Sequence, residues 1–320
     1  MSEHNIDRRD FLHRLGLSGL ALSMGATACG GGAGEIAAQQ GSATRQAISA
    51  VAGKSGPKTG LCSIAFRELP FRDVLSLARE AGFDGVEPWG KPDHLPLTLG
   101  DNEVRQARKA AEDLGLAISH FGCYVRIGDD LEREVVSQQQ KEADMARAVE
   151  MTKLLGTDIC RIWAGNKDSE LMNDADWEKI VRDGKTFCAL AEDAGVTLAI
   201  EMHSRSVTNK ATAAVELIER VGSPALKLNY QILNSSEDPY ERARIAGPHV
   251  VMVHAQNEPK NGRGQGSVCG GVVDFQKVWD ILHGEFGFDG YMEVEFVAGK
   301  TPQEKRAALL ADAKCLNEIG

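Results

Sequence analysis

From residue 58 onward the chain alternates short apolar runs with longer amphipathic stretches, and this regularity constrains the fold more than any other feature. An apolar run of about four to eight residues has the length of a strand buried on both faces, and a stretch of about ten or more with apolar positions three and four apart has the pattern of a covering helix. The runs fall at 60–65, 85–88, 117–121, 158–163, 197–203, 225–231, 250–255 and 291–296, eight in all. Helical stretches are predicted at 71–81, 102–114, 134–155, 177–194, 210–221, 275–283 and 302–317. Such alternation builds a parallel sheet clothed in helices. Eight units within the 261 residues from Gly60 to the end match the roughly 250 of a (β/α)8 TIM barrel. The expected fold is therefore α/β, a single barrel domain over 58–320. The runner-up, an open doubly wound sheet, is disfavoured because no run is followed by Gly-x-Gly-x-x-Gly. The glycine-rich stretch 264–271 has no helix directly behind it and reads as a flexible loop, not a phosphate cradle.

The residues ahead of the barrel read differently. Arg8-Arg9-Asp10-Phe11-Leu12 is followed, after Arg14, by the uncharged stretch 15–28, too short for the roughly 20 apolar residues of a membrane span. Residues 1–29 are expected to be an export signal, and the arginine pair followed by Phe-Leu resembles the twin-arginine type. Ala26-Thr27-Ala28-Cys29 is also a candidate lipoprotein processing site, although Ala26 stands where Leu is usual; a lipid on Cys29 and plain cleavage are both left open. Residues 30–57, rich in Gly, Ala, Ser and Gln, bury too little to offset chain entropy and are expected to act as a tether. The expected location is thus periplasmic, with a membrane contact only through Cys29. With 36 Lys plus Arg against 46 Asp plus Glu, the chain carries −10 and is not expected to bind nucleic acid. Six further cysteines show no Cys-x-x-Cys spacing and mostly sit in apolar runs, where buried free thiols are expected. The sequence is compatible with a homo-oligomer but specifies none.

In such a barrel, function collects where strands end at the C-terminal face. The fifth run reads Leu198-Ala199-Ile200-Glu201-Met202-His203, and alternation puts Glu201 and His203 on one face. The seventh ends His254-Ala255-Gln256, the eighth carries Glu293 and Glu295, and the sixth ends Asn229-Tyr230-Gln231. Burying carboxylates and an imidazole in one mouth is costly unless positive charge compensates. Lys and Arg are scarce on these strands, so one divalent cation is the simplest compensator: manganese first, with cobalt, magnesium or zinc also suited.

These residues carry a resemblance. Gly82-Phe83-Asp84-Gly85-Val86-Glu87, Ile200-Glu201-Met202-His203, Val253-His254-Ala255, Val272-Val273-Asp274-Phe275 and Gly287-Phe288-Asp289-Gly290-Tyr291 through Glu295 follow one another in the order and spacing of the xylose isomerase-like barrels, the sugar phosphate isomerase/epimerase family. The chain resembles that family from about Gly60 to its end. The resemblance implies a divalent metal held by Glu201, Gln231, His254 and Glu295. It departs from the pattern where the family usually has Asp-x-x-His: here Gln231 and Asn234 stand at those positions, so formal ligand charge falls from −3 to −2. Weaker metal binding and a more electrophilic ion are expected.

The implied reaction is proton abstraction beside a carbonyl of a small sugar or keto-sugar, through an enediolate that the metal stabilises. Glu201 and Glu295 are the expected base and acid, and His203 is expected to contact a substrate hydroxyl or support Glu201. Proton return gives isomerisation or epimerisation. Two other functions stay open: a lyase or hydrolase of 3-keto-glycosides, and a non-catalytic sugar-binding protein whose metal site has decayed at Gln231 and Asn234. Blander roles compete: Glu201 and Glu295 as ordinary ion-pair partners, His254 as a core histidine, Glu293 paired with Arg161, and Trp89 and Trp163 as packing instead of platforms for a sugar ring. Glu87, His94 and His120 lie near the expected mouth without an assigned role.

Overall fold

A computed structural model describes residues 56–128, 136–232, 235–261 and 264–320. The expected signal, nearly all of the tether, and Asn234 lie outside the described residues. Nine parallel strand segments form one sheet: β1 (Lys58–Cys62), β2 (Gly85–Glu87), β3 (Ala117–Ile118), β4 (Phe121–Ile127), β5 (Ile159–Ala164), β6 (Thr197–Glu201), β7 (Leu226–Tyr230), β8 (Val250–His254) and β9 (Tyr291–Val294). Their order is β3-β2-β1-β9-β8-β7-β6-β5-β4. The two ends of that order are consecutive pieces of one chain, so the sheet closes as an α/β TIM barrel, with a parallel bridge from Trp89 to Gly122 across the seam. The ninth segment arises because the third barrel strand breaks at Ser119 and His120, which turn inward to a glutamate described below.

Among the described residues eight α-helices clothe the barrel: α1 (Phe71–Ala81), α2 (Asp101–Asp113), α3 (Gln138–Leu155), α4 (Asp174–Ala194), α5 (Ala211–Val221), α6 (Pro239–Ala246), α7 (Phe275–Phe286) and α8 (Pro302–Asn317). Their boundaries follow local chemistry. Asn173 and Thr301 open α4 and α8 with capping boxes closed by Asp176 and Glu304. α6 was not predicted: it is short, with Pro239 in its first turn and Asp238 accepting from two amides ahead of it. Among the described residues no helix is long and apolar enough to cross a membrane.

Strand alternation divides the side chains into two populations. Leu61, Val86, Ile162, Ile200, Leu228, Val253 and Val294 join the buried apolar shell under the helices, together with Val74, Leu75, Leu217, Leu282 and Leu309. Their neighbours in sequence fill the barrel's inside, where the buried residues include Glu87, Arg161, Glu201, Asn229, His254 and Glu293. Glycine makes room for them: a Cβ at Gly60 would collide with the Glu293 carboxylate, and one at Gly122 with Glu87 and Arg161.

Cysteine pairing departs from expectation. Cys62, Cys123, Cys160 and Cys188 are buried free thiols, but Cys269 and Cys315 form a disulfide across 46 residues, with Cα atoms 6.0 Å apart. The loop after β8 is consequently held, not loose. Asn257 bonds the carbonyls of Val268 and Val273, Val268 N–H donates to Asp312 on α8, and the disulfide adds a covalent clamp to the same helix.

Candidate active site

The predicted mouth residues converge. Ligand atoms of Glu201, His254 and Glu295 lie within 4.8 Å of one another, all buried. Gln231, the first residue past β7, brings its Oε1 to 3.3 Å from His254 Nδ1, and Glu295 Oε2 lies 3.2 Å from the same nitrogen. Gln231 is held from behind by Arg242 of α6, whose Nε donates to its carbonyl at 2.9 Å. Glu201 is fixed at its backbone, where Thr208 Oγ1 donates to its carbonyl at 2.7 Å.

Two further residues belong to this centre, Glu87, which had no assigned role, and Arg161, which was expected to pair with Glu293. Glu87, at the end of β2, places Oε2 2.7 Å from His254 Nε2. Arg161, on β5, reaches Glu87 and Glu201 at 3.2 Å each. Arg161 therefore does not pair with Glu293 as expected; Glu293 lies deeper and bonds Ser119 Oγ at 2.5 Å and His120 Nδ1 at 2.7 Å. That pair explains the break in the third strand and gives His120 a structural role. His94 is likewise structural: Ser63 Oγ and the Leu69 carbonyl occupy its two nitrogens, and burial lowers its pKa to about 4, so the ring is neutral.

The electrostatics follow from burial. It would raise the Glu87 carboxyl, but His254 and Arg161 outweigh it and hold Glu87 well below the usual carboxylate range. For Glu201 burial wins: Arg161 pulls its pKa down, Glu295 adds to the rise, and the net shift is upward. Burial opposes the charged form of His254, yet Glu295 and Glu87 overcome it and raise its pKa. With His254 neutral and all three carboxylates ionised, the single guanidinium would leave two negative charges in this buried space, and the raised pKa values of His254 and Glu201 are the response to that excess. Arg161 thus supplies only part of the compensation that the sequence assigned wholly to a metal.

This donor set fits a divalent cation. Glu201 Oε2 and Glu295 Oε2 are buried without a hydrogen bond, although each has a cationic or imidazole nitrogen at 3.2 Å. With Nε2–H given to Glu87, the Nδ1 of a neutral His254 is an acceptor facing the oxygens of Glu295 and Gln231; acceptors that face one another need a proton or a cation between them. Glu87 stands where a carboxylate would fix the ring of His254 if that histidine held such an ion. With His254 neutral and Glu87, Glu201 and Glu295 ionised, the excess over Arg161 is two negative charges, which a divalent ion would neutralise.

His203 is not part of this cluster. β6 ends at Glu201, and His203 lies half-buried beyond it, with Nδ1 2.6 Å from the Ser204 carbonyl and its ring 5.2 Å from Trp163. It belongs to an upper tier of rings. Two residues beyond Glu87, Gly122, Arg161 and Glu201 come Trp89, Tyr124, Trp163 and His203, each in ring contact with the next at 6.3, 5.9 and 5.2 Å. Trp89 Nε1 donates to the Tyr124 hydroxyl at 2.7 Å, and the Lys91 ammonium sits 4.4 Å from the Tyr124 ring. The indole N–H of Trp163 is buried without a partner. Tyr124 escaped the sequence reading because the third strand runs past residue 121; the lone Arg161 inside an apolar run was the signal that could have revealed the buried cation.

Fold and mouth together define a barrel with an acidic, imidazole-bearing centre at the C-terminal ends of its strands. Residues 75–319 match the xylose isomerase-like TIM barrel family, and the chain belongs to it. Over 207 residues it is 25% identical to a 3-dehydroshikimate dehydratase of Bacillus anthracis, covering 62% of this chain and 71% of that enzyme. It is 23% identical over 181 residues to a fructoselysine 3-epimerase of Shigella flexneri, covering 53% of this chain and 63%, under two thirds, of that enzyme. Among solved structures, a family member from Mycobacterium smegmatis in complex with magnesium superposes with a TM-score of 0.64 at 16% identity, over 83% of this chain and 96% of that one.

Proposed function

We propose that the chain is a divalent-metal-dependent isomerase or epimerase of a small sugar or keto-sugar. The observation that carries the reading is the buried convergence of Glu201, His254 and Glu295 within 4.8 Å, with an oxygen of each carboxylate left unbonded. Glu201, His254, Glu295 and the Gln231 amide oxygen are the residues that would hold the ion, manganese being the expected one. When bound, that ion supplies electrophilic polarisation of a substrate carbonyl.

The chain's own residues do the rest. Glu201, its pKa raised by burial, is the general base that takes a proton from the carbon beside the carbonyl. Arg161 holds Glu201 in place and limits its basicity. Glu295 in its acid form would return a proton to the opposite face and be left as the carboxylate while Glu201 keeps the proton it took, the two exchanging roles for the next turnover. The aromatic tier would screen the reacting face from water, and His203 would offer Nε2 to a substrate hydroxyl. A second reading, elimination after the same deprotonation, is favoured by the dehydratase relative. Solvent deuterium exchange into ketoses tests the shared step. The Glu201→Gln variant is expected to lose exchange by about 10²–10⁴-fold; full retention would overturn the reading. Product analysis then separates epimer from eliminated product.

We also propose export of the folded chain by a twin-arginine signal over 1–29. The Cys269–Cys315 disulfide supports this, since such bonds persist in oxidising compartments.

A further inference from the structure

The aromatic tier continues past the mouth. Trp89 also walls a cleft of about 580 Å³ whose other sides are Arg67, Glu68, Leu69, Pro70 and Asp93. This volume lies within the ~300–1,000 Å³ range of small-molecule sites. Residues 67–70 follow β1 and residues 89–93 follow β2, so the cleft opens on the same face of the barrel as Glu87 and His254. Trp89 stands two residues beyond Glu87 and is rigidly held. Its amide donates to Ser63 Oγ at 2.8 Å, its indole N–H donates to Tyr124, and its carbonyl accepts from Lys91 and Leu95. One side of the ring therefore borders the mouth's aromatic tier while another lines the cleft.

A fixed indole beside carboxylates, a guanidinium and backbone carbonyls is suited to a pyranose. The sugar's C–H face covers the ring, and its hydroxyls bond the charged rim. A platform already locked in place costs little ordering on binding. We propose that this cleft is a distal subsite for a second sugar unit, so that the preferred substrate is a glycoside with its reacting ring at the mouth and its second ring on Trp89. The proposal rests on the reading of the mouth as a keto-sugar site.

Calorimetric titration of the full chain with glucose and with trehalose, sucrose, cellobiose and lactose tests it. None of these needs to react, so the outcome is independent of the deuterium-exchange experiment, whose failure would remove the reaction and leave the subsite standing. At least one disaccharide is expected to bind more than about fivefold tighter than glucose. That ratio is expected to fall by half or more in Trp89→Ala and also in Arg67→Ala, the latter altering an exposed side chain that the fold does not need. A ratio below about fivefold for every disaccharide, undetectable disaccharide binding, or a ratio that either variant leaves intact overturns the proposal.

Discussion

Cleaving the link between the loop after β8 and helix α8 tests how this barrel is held. Cys269 and Cys315 are 46 residues apart in sequence, so their bond removes from the unfolded chain the entropy of a 46-residue loop. In the chain-entropy account that is about 4 kcal/mol at 25 °C. At roughly 2–4 °C per kcal/mol for a domain of this size, the melting temperature should fall by about 8–16 °C. The perturbation is the double variant Cys269→Ser, Cys315→Ser, compared with oxidised and reduced wild-type protein in urea and thermal unfolding. The other four described cysteines are buried in the folded protein. The loop keeps its bonds from Asn257 and Asp312, so a loss well below the entropic value would show that these already hold it. Equal midpoints for all three samples would refute the reasoning.

The Asp312 carboxyl, buried beside Val268, is pushed by that burial from its ordinary 3.8 up to about 6. The folded state holds this proton more tightly than the unfolded chain, so its stabilising effect is complete below the unfolded pKa and is lost as pH rises through the folded one. Acidification from neutral pH should then add roughly 3 kcal/mol at most, and Asp312→Asn should flatten the profile of unfolding free energy against pH; a wild-type profile already flat would refute it. At Gly122 an added methyl meets Glu87 and Arg161, so Gly122→Ala should cost about 1–3 kcal/mol of stability and slow deuterium exchange. Unchanged melting and exchange would show slack inside the barrel.

The fold was legible because parallel strands buried on both faces read as near-continuous apolar runs, and the site was legible wherever a polar residue interrupted the end of such a run. Glu201, His254 and Glu295 are of that kind. What could not be read depends on reach across the barrel. Arg161 and Glu293 both point inward, but they occupy different depths, so the guanidinium meets Glu87 and Glu201 while Glu293 turns to Ser119 and His120. The disulfide was hidden for the same reason: nothing local marks residues 46 apart as neighbours. Strand alternation put His203 on the same face as Glu201; β6 stops at Glu201, so the histidine stands past the strand end, in ring contact with Trp163.

The spacing between the charged centre and the rings above it has a consequence for how such a barrel can change. On β2, β5 and β6 the charged residue, Glu87, Arg161 or Glu201, sits two positions before the ring, which lies further along the chain on β5 and just past the strand end on β2 and β6. Substitutions at Trp89, Trp163 or His203 can thus retune which molecules are admitted while the buried charged cluster beneath keeps its alignment. Selectivity and chemistry become separately adjustable, and directed evolution of a new specificity has an obvious set of positions to vary first.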